Sequence, residues 1–207
     1  FRELLEKIPA YLDLKVSFLE RFFRDRGKVL FVGTAKGFEV RKARERGWEA
    51  FGTDFSKYAI DHADSTISQY LKLADSRNLP FDDNSFSVVA GFNTLEHVGA
   101  GAPIQITLAL REVSRVAKAG LLFKVGLQHW AVTHCIDPEP IELQPFCFWV
   151  RQVECLGKHR FYHAEVGTSP LHAWLIFYHK DLWRAKVNGG ADASYLEQQI
   201  EEALKKT

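Results

Sequence analysis

The chain has 207 residues, 46% of them hydrophobic and 26% charged, with a formal net charge of +1. That length suits one domain with a sizeable core, and that composition excludes a disordered or fibrous chain. The basic residues are scattered, which speaks against a nucleic-acid partner, and no apolar run reaches the roughly 18 residues of a membrane span. Nor does the chain open with the charged-then-apolar pattern of a secretory leader. Cys135, Cys147 and Cys155 show neither metal-like spacing nor a CxxC pair, so reduced thiols in a cytoplasmic protein are expected.

Residues 1–27 carry Leu4, Leu5, Ile8, Leu12, Val16, Leu19, Phe22 and Phe23 at helical spacing. Pro9 is expected to divide them into two helices, with Gly27 ending the second. Strands and helices then alternate. "KVLFVG" reads as a buried strand, "FEVRKARERG" as an exposed helix, "WEAFGTD" as a second strand and "KYAIDHADSTISQY" as a second helix. "LKLAD" and "FSVVAGFN" are further strands, "PIQITLALREVSRVAK" a helix and "GLLFKVGL" a fifth strand. Strands apolar throughout and separated by helices imply a mainly parallel sheet covered on both faces.

After residue 127 the pattern changes. "QHWAVTHCIDPEPIELQP" is too polar and proline-rich for a sheet interior and reads as a long functional loop. "FCFWVRQVECLG" is a helix. "FYHAEVG" and "HAWLIFYHK" stand close enough for an antiparallel hairpin, and Ser194 with Glu197 opens a tail helix through a capping box. The expected architecture is one doubly wound α/β domain with seven strands, mainly parallel, ending in the hairpin. Its parts are N-terminal helices over 1–27, a ligand-binding core over 28–127, a loop, helix and hairpin over 128–187, and the tail helix over 188–207.

In such a sheet a ligand sits beyond the carboxyl ends of the strands, beside the first. The glycine turn after "KVLFV" occupies that place. The dinucleotide fingerprint needs glycines at 33, 35 and 38, whereas the chain has Gly33, Ala35 and Phe38, with a glycine at 37. No Gly-Lys-Ser/Thr follows, so the phosphate-binding loop pattern also fails. Asp54 ends the second strand 21 positions after Gly33, where a carboxylate can accept hydrogen bonds from ribose hydroxyls. The alternative role for Asp54 is to cap the helix that starts at "DFSK". The pattern suits a nucleoside with a sugar to grip and no phosphate to cradle, which disfavours an NAD-dependent oxidoreductase.

With "VGTAKG", "FGTDFS" and "LREVSRVAKAGLLFKV", the run "ADSRNLPFDDNSFSVVAGFNTLEHV" at residues 74–98 resembles the class I S-adenosylmethionine-dependent methyltransferases. The closest likeness is to their small-molecule, type-11-like branch, over roughly residues 28–127 and more loosely the final hairpin. The resemblance implies the Rossmann-like methyltransferase fold, S-adenosylmethionine as cofactor and methyl transfer to a small-molecule acceptor. It also implies site roles. Gly33, Thr34, Ala35 and Gly37 would form the loop beside the methionine portion, Asp54 would hold the ribose, and Phe55 would lie against the adenine. Asp75 and Ser76 would read the adenine edge, and Asn93 would lie near the sulfonium and amino group. One position departs from the family: Phe31 stands where an acid usually helps to hold the ammonium. A binding protein that keeps the fold without catalysing therefore stays open beside the enzyme.

Transfer to a protonated oxygen or nitrogen benefits from a base, and histidine suits that task near neutrality. His97 falls just after the fourth strand, where it is either near the cofactor or a packed helix-start residue. His129, Trp130, His134 and Asp137 cluster after the fifth strand, at the edge an acceptor would approach. His134 and His129 are candidate bases, and Trp130, His134 and Asp137 are candidate acceptor contacts. The alternative for this cluster is a loop staple around Trp130. Lacking a third ligand at telling spacing, it is not read as a metal site. His163 and His179 are expected to be structural. The aromatic N-terminal stretch, with Phe1, Phe18, Phe22 and Phe23, either packs on the sheet flank or lies over the cofactor as a lid.

Overall fold

The computed structural model describes residues 2–126, 144–166 and 172–188. Seven strands form one sheet: β1 (Lys28–Val32), β2 (Glu49–Asp54), β3 (Leu71–Leu73), β4 (Phe86–Phe92), β5 (Ala117–Gly126), β6 (His159–Val166) and β7 (His172–His179). Their order is β3-β2-β1-β4-β5-β7-β6. The first five run parallel, and β7 runs antiparallel to both β5 and β6. The chain moves outward from β1 to β3 and then returns to β4 on the other side of β1. Strand order thus reverses between β1 and β4, and a crevice opens above that point.

Central strands are mostly apolar, because helices cover both faces. On one face Leu30, Val89, Leu121 and Phe123 pack with Ile106, Leu110 and Val113 of α4 (Pro103–Val116) and Trp149 and Val153 of α5 (Phe146–Cys155). On the other, Val29, Phe31, Val88, Leu122 and Trp174 pack with Val16, Phe18 and Leu19 of α1 (Arg2–Phe22) and Val40 and Ala43 of α2 (Phe38–Glu45). The doubly wound arrangement expected from the alternating pattern is the one observed.

Three local expectations are corrected. α1 is one helix through Pro9, not two. A proline forfeits a single backbone donor, and burial of Val16, Leu19 and Phe23 on the sheet holds the later turns regardless. The second helix is only α3 (Lys57–Asp61). Beyond it, Asp64 Oδ1 accepts from the Thr66 backbone N–H at 2.8 Å and hydroxyl at 2.6 Å, an alternative to helical bonding. Finally, α6 (Lys180–Asn188) follows β7 where no helix was expected. The Trp183 indole N–H donates to the Phe161 carbonyl at 2.8 Å and pins α6 to the hairpin. The expected loop after β5 and the tail helix lie outside the described residues.

Candidate active site

The glycine turn leaves β1 at its carboxyl end. Gly33 has φ +66°, and a Cβ there would sit 2.1 Å from the Thr94 side chain, so only glycine lets the turn pack against the end of β4. Ala35 also adopts a left-handed φ of 48°, accepting the strain that a glycine would avoid. Gly37, at φ +79°, precedes α2 and donates its N–H to the Thr34 carbonyl at 2.8 Å.

Asp54 holds this turn. Its Oδ2 accepts from the Ala35 backbone N–H at 2.7 Å, and its Oδ1 from the Ser56 N–H at 2.9 Å. The helix-capping alternative falls to Ser56, whose hydroxyl accepts from the Ala59 N–H at 3.2 Å. A carboxylate offers about four lone-pair directions, so Asp54 keeps acceptor capacity beyond these two bonds.

Gly33, Asp54, Phe55, Asp75, Ser76 and Asn93, together with His97, line one cleft of about 540 Å³. That size lies within the ~300–1,000 Å³ of small-molecule sites. Thr34, Ala35 and Gly37 shape the turn without lining the cleft, and the Thr34 side chain is buried beneath it. Phe55 is 81% exposed and makes no ring contact among the described residues. Asp75 is engaged by Arg77, whose Nε lies 2.9 Å from Oδ2 and whose backbone N–H lies 2.8 Å from Oδ1. These bonds hold the Asp75 carboxyl below its usual range. His129, Trp130, His134 and Asp137 lie outside the described residues.

A second polar group, missed from sequence, borders Asn93. The Lys124 ammonium, on β5, donates to the Tyr11 hydroxyl of α1 at 2.6 Å. That hydroxyl donates to Asn93 Oδ1 at 3.3 Å. Asn93 Nδ2 reaches Glu96 Oε1 at 3.5 Å, and the same oxygen accepts from the Gly126 N–H at 3.0 Å. Burial raises the Glu96 pKa, and burial with nearby Glu39 and Glu96 pushes Tyr11 up to about 12, so its phenol stays protonated. Burial and repulsion from Lys15 lower the Lys124 pKa. Only Glu96, within "LEHV", had a hint in the sequence, because that segment follows a strand end.

Phe31 is 2% exposed, its ring 5.9 Å from that of Phe92. It is a core residue of the α1 face. Lys15 of α1 pairs with Glu39 of α2 at 2.5 Å on this side of the sheet.

Residues 30–123, from β1 into β5, match the family model described as "Methyltransferase domain". That match, over residues 30–123, supports a class I S-adenosylmethionine-dependent methyltransferase domain of the type-11-like kind. Among solved structures, the PH0226 protein from Pyrococcus horikoshii OT3 is 18% identical, with a TM-score of 0.68 over 83% of this chain and 90% of that one. Magnesium protoporphyrin IX methyltransferase from Synechocystis PCC 6803, solved with SAH bound, is 10% identical, with a TM-score of 0.68 over 83% of each chain. The [4+2]-cyclase SpnF is 14% identical, with a TM-score of 0.66 over 82% of this chain and 80% of its own. At such identities these likenesses speak for the fold. No curated protein matches the chain.

Proposed function

We propose that the protein transfers a methyl group from S-adenosylmethionine to a small-molecule acceptor, with the cofactor lying in the cleft above β1, β2 and β4. Bound there, the cofactor supplies an electrophilic methyl on a sulfonium. The single observation that carries this assignment is Asp54, whose carboxylate is fixed at the glycine turn with acceptor capacity to spare. Ribose hydroxyls would take that capacity. Phe55 would cover one adenine face, Asp75 and Ser76 would meet its edge, and Gly33 would let the backbone approach the methionine portion. Thr34, Ala35 and Gly37 would hold the turn's shape from behind. Arg77 makes four contacts to the Asp75 carboxylate, through its backbone N–H, Nε and Nη2, so Asp75 can accept from the adenine only if Arg77 releases one of them and moves when the site fills.

Methyl transfer is an in-line displacement, and the chain's contribution is alignment and exclusion of water. Asn93, just after β4 with a left-handed φ of 52°, lines the cleft, where it would lie near the donor's sulfonium and amino group. His129 and His134 are the proposed bases, with Trp130 and Asp137 as acceptor contacts.

A second assignment, a cofactor-binding protein that does not methylate, is favoured by Phe31, since a buried ring cannot accept a hydrogen bond from the cofactor's ammonium. Calorimetry separates the cases. Asp54→Ala should weaken S-adenosylhomocysteine binding about 10- to 100-fold, the worth of hydrogen bonds to a charged group. Unchanged affinity would remove the assignment. Binding to wild type without radiolabel transfer to any of a broad acceptor panel would favour the non-catalytic protein.

A further inference from the structure

Beyond Asn93, at the junction of α1, β4 and β5, two lysine ammonium groups sit among aromatic rings. Lys15 Nζ lies 4.5 Å from the centre of the Tyr11 ring and 5.2 Å from that of Phe92. Lys124 Nζ lies 4.8 Å from the Tyr11 centre and 6.0 Å from the Trp174 centre. Their charge balance is unequal. Lys15 has Glu39 at 2.5 Å, whereas Lys124 has no carboxylate within 4.0 Å among the described residues. Its one described polar partner is the neutral Tyr11 hydroxyl. Glu96 acts on it only at longer range, with its Oε1 accepting from the Gly126 N–H.

A half-buried ammonium with no carboxylate in contact is costly, and a second cation beside it adds to the cost. The position of this charge bears on the reaction. Tyr11 links Lys124 directly to Asn93, a residue of the cleft wall. If the donor lies as proposed above, its sulfonium brings a third positive charge to the same end of the cleft. Lys15 is paired with Glu39, so a neutral or cationic acceptor would leave the Lys124 and sulfonium charges without a contacting anion, and an anionic one would supply it.

Resting on that assignment of the cleft, we propose that the Lys124 ammonium and the Tyr11 hydroxyl form the acceptor subsite, and that they bind a carboxylate carried by the methyl acceptor. Lys124 supplies the charge. Tyr11, anchored on Asn93, sets the direction from which a carboxylate oxygen can approach and ties its position to the cofactor end of the cleft. The half-buried Tyr11 ring beside Lys124 suits an aryl carboxylate as the probe.

The experiment titrates benzoate and its neutral isostere benzamide into the full chain, with and without saturating S-adenosylhomocysteine, following line broadening by NMR. Wild type should prefer benzoate over benzamide by about tenfold or more, the scale of a charge-assisted hydrogen bond. Lys124→Met should abolish that preference, Lys124→Arg should keep most of it, and Tyr11→Phe should reduce it several-fold. S-adenosylhomocysteine binding by each variant reports that it is folded. Absence of any carboxylate preference in wild type that binds S-adenosylhomocysteine overturns the subsite alone. So does an unchanged preference in Lys124→Met. Failure of wild type to bind S-adenosylhomocysteine overturns the cofactor assignment, and this subsite with it.

Discussion

Phe31 shows how one side chain can leave a family's pattern without leaving its fold. The position usually carries an acid, yet here the ring is fully within the α1-side core, against Phe92 and beneath α1. Restoring the acid would not restore its role. Phe31→Asp would replace an apolar ring with a buried carboxylate and leave a cavity, at a cost of about 3 kcal/mol or more. Urea denaturation should register that loss, while affinity for S-adenosylhomocysteine in any remaining folded protein should not improve. A gain in affinity would mean that the position faces the cofactor after all. Asp54 was readable beforehand because it ends β2 at the carboxyl edge, where chain position sets location, and Asn93, just after β4, was named through the family resemblance. Tyr11 and Lys124 were not. They are 113 positions apart, and their meeting depends on which face of β5 Lys124 takes and how α1 docks.

That docking is the business of α1. Phe18 stacks on Trp174 of β7 with centroids 4.2 Å apart and planes at 14°, while Phe23 meets the Tyr178 ring edge-on at 5.1 Å. The Tyr178 hydroxyl donates to the Phe22 carbonyl at the end of the helix. Of the two roles open to the aromatic N-terminal stretch, Phe18 and Phe23 take the packed one. The helix nevertheless carries Tyr11 two turns upstream to the cleft's edge, so the flank staple and the site share one element. Phe18→Ala should cost about 3–5 kcal/mol of stability, the range for a buried aromatic truncation. Amide exchange should rise across α1 more than across β4, and a uniform rise would instead mean that α1 is not a separable unit.

The stability of the fold as a whole is tied to pH through His159, at the start of β6. The residue is buried, with Nδ1 2.9 Å from the Ser114 hydroxyl of α4. Burial, then repulsion from Lys158 and His179, lowers its pKa from 6.5 to about 3. The unfolded chain therefore binds more protons between those values. This group's contribution is complete above about pH 6.5 and is lost as pH falls toward 3, at up to about 1.4 kcal/mol per pH unit. Between pH 7.5 and 5, wild type should lose about 2 kcal/mol more than His159→Gln in urea titrations. Parallel losses in the two proteins would show that the imidazole is not kept neutral by the fold.

The repeating order of apolar strand, helix and glycine-bounded turn was enough to define the sheet, its parallel part and the crevice above β1. Those features follow from local periodicity and from the rule that a two-sided sheet must be covered. The short α3, the unbroken α1 and the added α6 were hidden, because each is settled by competition between local bonding and burial against distant residues. The same holds for the chemistry. Strand-end residues announce a nucleoside site along the chain, whereas Tyr11, Asn93 and Lys124 acquire a common purpose only once α1, β4 and β5 are packed together. Hydrogen bonds and charges act through space, and that closeness is created by the packed core alone.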